Sequence, residues 1–229
     1  MGHSRFKYFS SLNYAHDFLE GKVFCQTAAF FRDYEDARAQ QVIGDEYECT
    51  RLYRPLSGLE INNLTTGVQG TLQMGMECHT RADEIFMFCT SLSFNERLQE
   101  EFSAAACVEI HQPKAFITRW ERALPPAANG HTKHGYPKHV ARKIGYYRAQ
   151  DIPGNVWALP DLITTTKLEV FAYQAEYRFA FTITEAFEFQ NCRYELVNRK
   201  HRPLPKPEEH HSMILELGDL TDICALHEF

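Results

Sequence analysis

Residues 167–189, KLEVFAYQAEYRFAFTITEAFEF, constrain this chain more than any other segment. Aromatic and β-branched residues favour an extended backbone, and so long a run has to lie within a sheet. Side chains alternate between the faces of a strand. Gln174, Glu176 and Arg178 therefore share one face, and Tyr173, Ala175 and Tyr177 the other. The first face is polar where a buried strand should be apolar. Two arrangements satisfy it: the face meets solvent with Glu176 paired to Arg178, or it lines a cleft.

The remaining pattern reads as α+β. FKYF is a short strand, and 10–21 a helix capped by Ser10 or Ser11 and stopped by Gly21. KVFCQTAAFF reads as a short strand leading into an aromatic turn, and the polar stretch 32–48 as a surface helix or loop. CTRLYRPL, EINNL, GTLQMGMEC and EIFMFCTSLSF are strand-like runs punctuated by Pro, Gly and Asn-Asn. A short helix at 96–106 and a strand at 107–112 lead to an amphipathic helix at 114–124, with Phe116, Ile117, Trp120 and Leu124 on one face. After the PPAANGH break come strands at 139–149 and 167–189, then RYELVN, the connection RPLPKP, and HHSMILELGDL as the last strand. The 229 residues fit one domain, 1–229, with a mostly antiparallel β core, a few helices, and a basic-aromatic insertion or loop around 125–150.

Composition narrows the classes. The chain is 44% hydrophobic with a formal net charge of −6, which excludes disordered and low-complexity types. No window approaches the ~18 uninterrupted apolar residues of a membrane helix, and the N-terminus lacks a positive-then-apolar signal pattern. A cytoplasmic location without a membrane partner is expected. The seven cysteines are scattered without a CxxC pair, so buried free thiols are expected rather than a zinc or disulfide framework. His131, His134 and His139, and the adjacent His210 and His211, do not reproduce a metal-ligand spacing, and no metal is expected. P-loop, Rossmann and nucleophile-elbow signatures are absent. Charge is uneven, however. Residues 131–148 carry Lys133, Lys138, Arg142, Lys143 and Arg148 beside Tyr136, Tyr146 and Tyr147, with no acid. Such a stretch is either a solvated loop or a grip on a phosphate-bearing partner. In the second case Lys138, Arg142, Lys143 and Tyr146 contact the acceptor.

Three motifs fall in a telling order: Lys7-Tyr8-Phe9-Ser10, Cys89-Thr90-Ser91-Leu92-Ser93, and Tyr173-Gln174-Ala175-Glu176-Tyr177-Arg178. Together they resemble the ADP-ribosyltransferase-like superfamily, which carries a basic residue on an early strand before a helix, S-x-S/T on a middle strand and Q/E-x-E on a later one. They are also similar to an uncharacterised bacterial and phage family with KY-x-S, C-x-S-x-S and Y-x-x-E-Y-R motifs. The resemblance spans about residues 5–180 and implies NAD as substrate, with ADP-ribose transferred to a macromolecular acceptor by an enzyme of phage-defence or toxin type. It implies that Glu176 stabilises the oxocarbenium-like state, that Gln174 orients the acceptor, and that Ser91 steadies Glu176 and the ribose. Lys7, Tyr8, Ser10, Ser91, Ser93 and Tyr173 would form the NAD-binding set. The first-strand basic residue is normally Arg or His, so the pyrophosphate falls to Lys7, or else to Arg5, Arg51 or Arg54. Nucleic acid is slightly favoured over protein as acceptor. The rival class is a non-enzymatic nucleotide- or nucleic-acid-binding protein of the same fold. The transferase reading requires Ser91 and Glu176 to share a cleft on adjacent strands.

Overall fold

Local signals set the opening of the chain. In the computed structural model, which describes residues 3–34, 44–154, 157, 159–188, 191–196 and 204–229, β1 (Arg5–Phe9) runs into α1 (Leu12–Leu19). The Ser11 hydroxyl caps that helix by accepting from the Asn13 N–H. Gly21, at φ 102°, then turns the chain into β2 (Lys22–Thr27). A Cβ on Gly21 would lie 2.2 Å from the Gly218 carbonyl oxygen, so only glycine fits this close approach. The aromatic turn expected after this strand is a helical turn, α2 (Ala28–Arg32).

Five strands follow: β3 (Thr50–Tyr53), β4 (Leu59–Asn62), β5 (Gln69–Leu72), β6 (Met74–His79) and β7 (Phe86–Ser91). Asn95 caps α3 (Glu96–Glu101), which leads to β8 (Ala106–Ile110) and α4 (Pro113–Ala123). Trp120 and Phe116 of α4 are fully buried, as the amphipathic pattern requires.

The strand expected over 139–149 forms as β9 (His139–Lys143) and β10 (Gly145–Tyr147), so the second half of the segment read as a basic insertion or loop around 125–150 is sheet. One expectation needs correction. The long run 167–189 is not one strand. After α5 (Pro160–Thr164) and β11 (Thr166–Leu168), Glu169–Gln174 forms a 3-10 helix, and Ala175 takes a left-handed conformation at φ 44°, ψ 45°. Only then does β12 (Glu176–Phe181) begin. The left-handed turn costs a residue with a Cβ about 1–2 kcal/mol, and it removes Gln174 from the face shared by Glu176 and Arg178. The chain continues with β13 (Asn191–Leu196), β14 (Ser212–Glu216) and β15 (Cys224–Glu228), the last a strand beyond the one expected to close the sequence.

The result is one α+β domain with mostly antiparallel sheets. An eight-stranded sheet is built around β7, all of its pairings antiparallel. One edge of β7 pairs with β12 along all six residues, and β9 lies beyond. The other edge is divided. β2 takes Phe86 and Met87 and carries β14, whereas β1 takes Ser91 and carries β8 and then β15. A second sheet has the order β13-β6-β3, β4 and β5 form a hairpin, and β10 pairs in parallel with β11. One core packs Phe18 of α1 and Phe116 and Trp120 of α4 against Phe88 and Phe179. On the opposite face Met87 and Ala180 meet Ala28, Ala29 and Phe187. Among the described residues no helix is long and apolar enough to cross a membrane.

The approach of Gly21 to Gly218 makes a testable distinction. Gly218 also has positive φ, 72°, but open space where a Cβ would go. Gly218→Ala should cost about 1–2 kcal/mol from backbone conformation alone. Gly21→Ala should cost clearly more, because backbone must move as well. Urea midpoints of the two variants compare them directly, and equal losses would contradict the packing described.

Candidate functional site

The divided edge of β7 opens a cleft of about 260 Å³. Its floor holds Cys89 and Ser91 of β7 with Glu176 and Arg178 of β12, while Phe6, Tyr8, Phe31 and Phe102 supply aromatic walls. Ser91 and Glu176 are directly opposed in register on adjacent strands. Lys7 and Phe9 share a face of β1, and Phe9 packs into the core under α1. The Lys7 side chain nevertheless reaches the cleft through the gap where neither β1 nor β2 pairs with β7. There its ammonium donates to the Cys89 carbonyl at 3.0 Å and lies 4.9 Å from the Phe88 ring. Burial lowers its pKa, partly opposed by Cys89 and Glu176.

Beneath the cleft lies a group of buried charges. Arg178 is wholly inaccessible to solvent. Its Nη1 bonds Glu48 Oε1 at 2.5 Å and the Thr164 carbonyl at 2.6 Å, its Nη2 bonds Glu48 Oε2 at 3.1 Å, and its Nε bonds Glu176 Oε1 at 2.9 Å. Lys167 Nζ sits 2.9 Å from Glu176 Oε2 and 3.8 Å from Glu48 Oε2, and donates to Gln174 Oε1 at 3.3 Å. Burial alone would raise the Glu176 carboxyl, but Arg178 and then Lys167 outweigh it and hold the group well below the usual carboxylate range. The same carboxylates hold Arg178 and Lys167 protonated against the effect of burial. Glu176 is thus a permanent anion, flanked by two cations, at the bottom of an aromatic-walled cleft. A fixed charge of this kind can stabilise charge that develops on a bound ligand, because it needs no reorganisation.

The other expected residues divide. Ser10 and the Tyr8 ring line the cleft, and the Tyr8 hydroxyl donates to the Ser93 carbonyl. The Ser91 hydroxyl donates to the Gln174 carbonyl at 2.7 Å, so it supports the turn before Glu176 rather than the carboxylate itself. Ser93 lies outside the cleft lining, where its oxygen accepts from the Asn95 amide. Tyr173 also lies outside it, with the Arg97 guanidinium 3.9 Å above its ring. Of the alternatives to Lys7, Arg5 stacks on Tyr177, Arg51 on Tyr147, and Arg54 pairs with Glu77. None of the three lines the cleft.

The acceptor set expected from the basic segment is differently placed. Lys138 pairs with Glu185 at 2.8 Å and Arg142 with Asp161 at 2.9 Å, while Lys133 and Arg148 have Glu188 and Asp151. The Tyr146 hydroxyl accepts from the Glu176 N–H at 2.8 Å, and burial pushes it up to about 12, so this ring positions β12. Lys143 is exposed and, among the described residues, has no ion pair. The seven cysteines are free, five of them buried. Among the described residues no three His, Cys, Asp or Glu converge as metal ligands.

Sequence reasoning missed Glu48, Asp45 and Lys167. Glu48 and Asp45 belong to the stretch read as polar surface, of which 35–43 lie outside the described residues. Both are buried, at 2% and 4% exposure. Their polarity argued for solvent; Glu48 is buried by its pairing with Arg178, and Asp45 lies near Glu48 with its carboxylate accepting from the Tyr47 N–H. The one available signal was Arg178 itself, a cation in an apolar run that needs more than one carboxylate. No family model, no curated protein and no solved structure matches the chain.

Asp45 yields a pH prediction. Burial, followed by Glu48, pushes its carboxyl up to about 6 from an ordinary 3.8. Because the folded pKa exceeds the unfolded one, the stability Asp45 contributes is full below about pH 4 and is lost as pH rises through 6. The loss amounts to about 3 kcal/mol at two units. Asp45→Asn still accepts from the Tyr47 N–H and should remove this slope. Denaturant unfolding of wild type and variant from pH 4 to 8 measures it, and parallel curves would show that Asp45 does not titrate there.

Proposed function

We propose that the cleft binds the nicotinamide riboside end of NAD and that the protein transfers ADP-ribose to a macromolecular acceptor. The observation that carries the reading is the convergence of three separate motif strands on one cleft, with Lys7, Ser91 and Glu176 all in its lining. At about 260 Å³ the cleft is below the ~300–1,000 Å³ usual for a whole drug-sized ligand. It suits one nucleoside-sized end of a dinucleotide, with the remainder outside. Phe6, Tyr8, Phe31 and Phe102 offer faces for a planar ring, and the charged floor offers partners for ribose hydroxyls.

In this mechanism the bond between ribose C1′ and the nicotinamide nitrogen breaks, and its electron pair leaves with neutral nicotinamide. Positive charge develops on the ribose beside the Glu176 carboxylate. The acceptor nucleophile then bonds C1′ and releases its proton. Lys7 is the cation that can meet phosphate at the split. Gln174, whose amide is engaged by Lys167 and Tyr173, borders the path of the acceptor. The ion pairs of the 131–148 segment leave Lys143 as its readiest contact for a phosphate backbone, so nucleic acid and protein acceptors are both carried into the test.

A second reading has its own support. Both Glu176 oxygens are already held by cations, and the Ser91 hydroxyl is already bonded. That closed network suits a non-enzymatic nucleotide-binding protein of the same fold. Incubation with labelled NAD and cell lysate separates the two. Nicotinamide release with label in protein, RNA or DNA supports transfer, binding without release supports the second reading, and no binding removes both. For the transferase, Glu176→Gln should lower nicotinamide release by on the order of 10²–10³. NAD affinity of the variant, measured by calorimetry, shows whether the cleft survives the change. Undiminished release would take Glu176 out of the mechanism.

A further inference from the structure

The sheet of order β13-β6-β3 contains a feature that the NAD reading does not use. β13 lies antiparallel against β6 with Cys192 directly opposite Cys78. Directly opposed residues hold their Cα atoms about 4.5–5.5 Å apart, inside the ~4.4–6.8 Å that a disulfide spans. Cys192 also packs against the small core to which Cys78 belongs. Cys78 is buried against Trp157 and Ile163, whereas Cys192, at the border of that core, is partly exposed. None of the other five cysteines stands opposite a cysteine in the described strand register.

We propose that Cys78 and Cys192 form a reversible thiol–disulfide site, oxidised by a low-molecular-weight disulfide of the glutathione class. The partly exposed Cys192 thiolate attacks one sulfur of the reagent. This forms a mixed disulfide and expels the first thiol. Cys78 Sγ, from the directly opposed position on β6, then displaces the second thiol from Cys192 and closes the bond. Two protein thiols lose two protons and two electrons, and one reagent disulfide becomes two thiols. Burial holds the Cys78 thiol protonated, which makes Cys192 the first to react. The bond would join the strand before β7 to the strand after β12, so the covalent loop encloses both strands of the cleft floor. Cross-linking so distant a pair restricts the unfolded chain more than the folded one.

The reduced full-length protein is equilibrated in buffers of increasing oxidised-to-reduced glutathione ratio. Free thiols are then blocked under denaturing conditions and the digest is mapped. The expected result is a fall from seven titratable thiols to five, a linked peptide pair containing Cys78 and Cys192, and recovery on dithiothreitol treatment. The oxidised form should also melt at a higher temperature, and Cys192→Ser should abolish both changes. Retention of all seven thiols at the most oxidising ratio would overturn the proposal. So would linkage through other cysteines, or glutathione left on Cys192 without closure. The wild-type map decides the question even if the variant folds poorly.

Discussion

Arg178 is the group on which the rest of this structure depends. A guanidinium with no solvent contact has to recover several kcal/mol of lost hydration through its neighbours. Glu48, Glu176 and the Thr164 carbonyl supply those neighbours from three separated segments. The segment before β3, the end of α5 and the start of β12 are therefore held to one point. Lys167 completes the group by bridging the two carboxylates. Loss of any one member would strand the opposite charge in a medium that cannot solvate it, which is why such clusters fix geometry more strictly than apolar packing does.

The divided edge of β7 explains why the cluster lies beside a cleft. β1 and β2 leave β7 at opposite ends, and the carbonyl of Cys89 between them would lack a strand partner. Lys7 meets that carbonyl from the side. The unmade part of the sheet thus becomes an opening in its surface, with an ammonium at its edge and carboxylates behind it. α1 and α4 pack their aromatic faces on the far side, so the divided sheet keeps its shape without closing the gap.

The basic segment shows how far a local charge count can mislead. Residues 131–148 contain no acid, yet Asp161, Glu185 and Glu188 arrive from distant positions and pair with most of its cations. Sheet formation brings those carboxylates over: β9 lies against β12, and the turn after β12 presents Glu185 and Glu188. Surface pairs of this type add little stability, but they decide which cations remain available to a partner.

By itself the sequence determined the elements whose cause is local. Ser11 and Gly21 delimit α1, the spacing of Phe116 and Trp120 makes α4 amphipathic, and short aromatic runs between Pro, Gly and Asn define most strands. It also determined that Gln174, Glu176 and Arg178 were out of place in an apolar run, leaving open whether Glu176 paired with Arg178 or lined a cleft; in the structure it does both. Tertiary structure alone decided that Glu48, Asp45 and Lys167 are buried beside Arg178, that Ala175 turns Gln174 off the strand, and that Cys78 faces Cys192. Each of these depends on a partner far along the chain. A polar residue in an acidic stretch carries no local sign that a distant guanidinium will draw it out of water, because the free energy that buries it exists only once the strands have assembled.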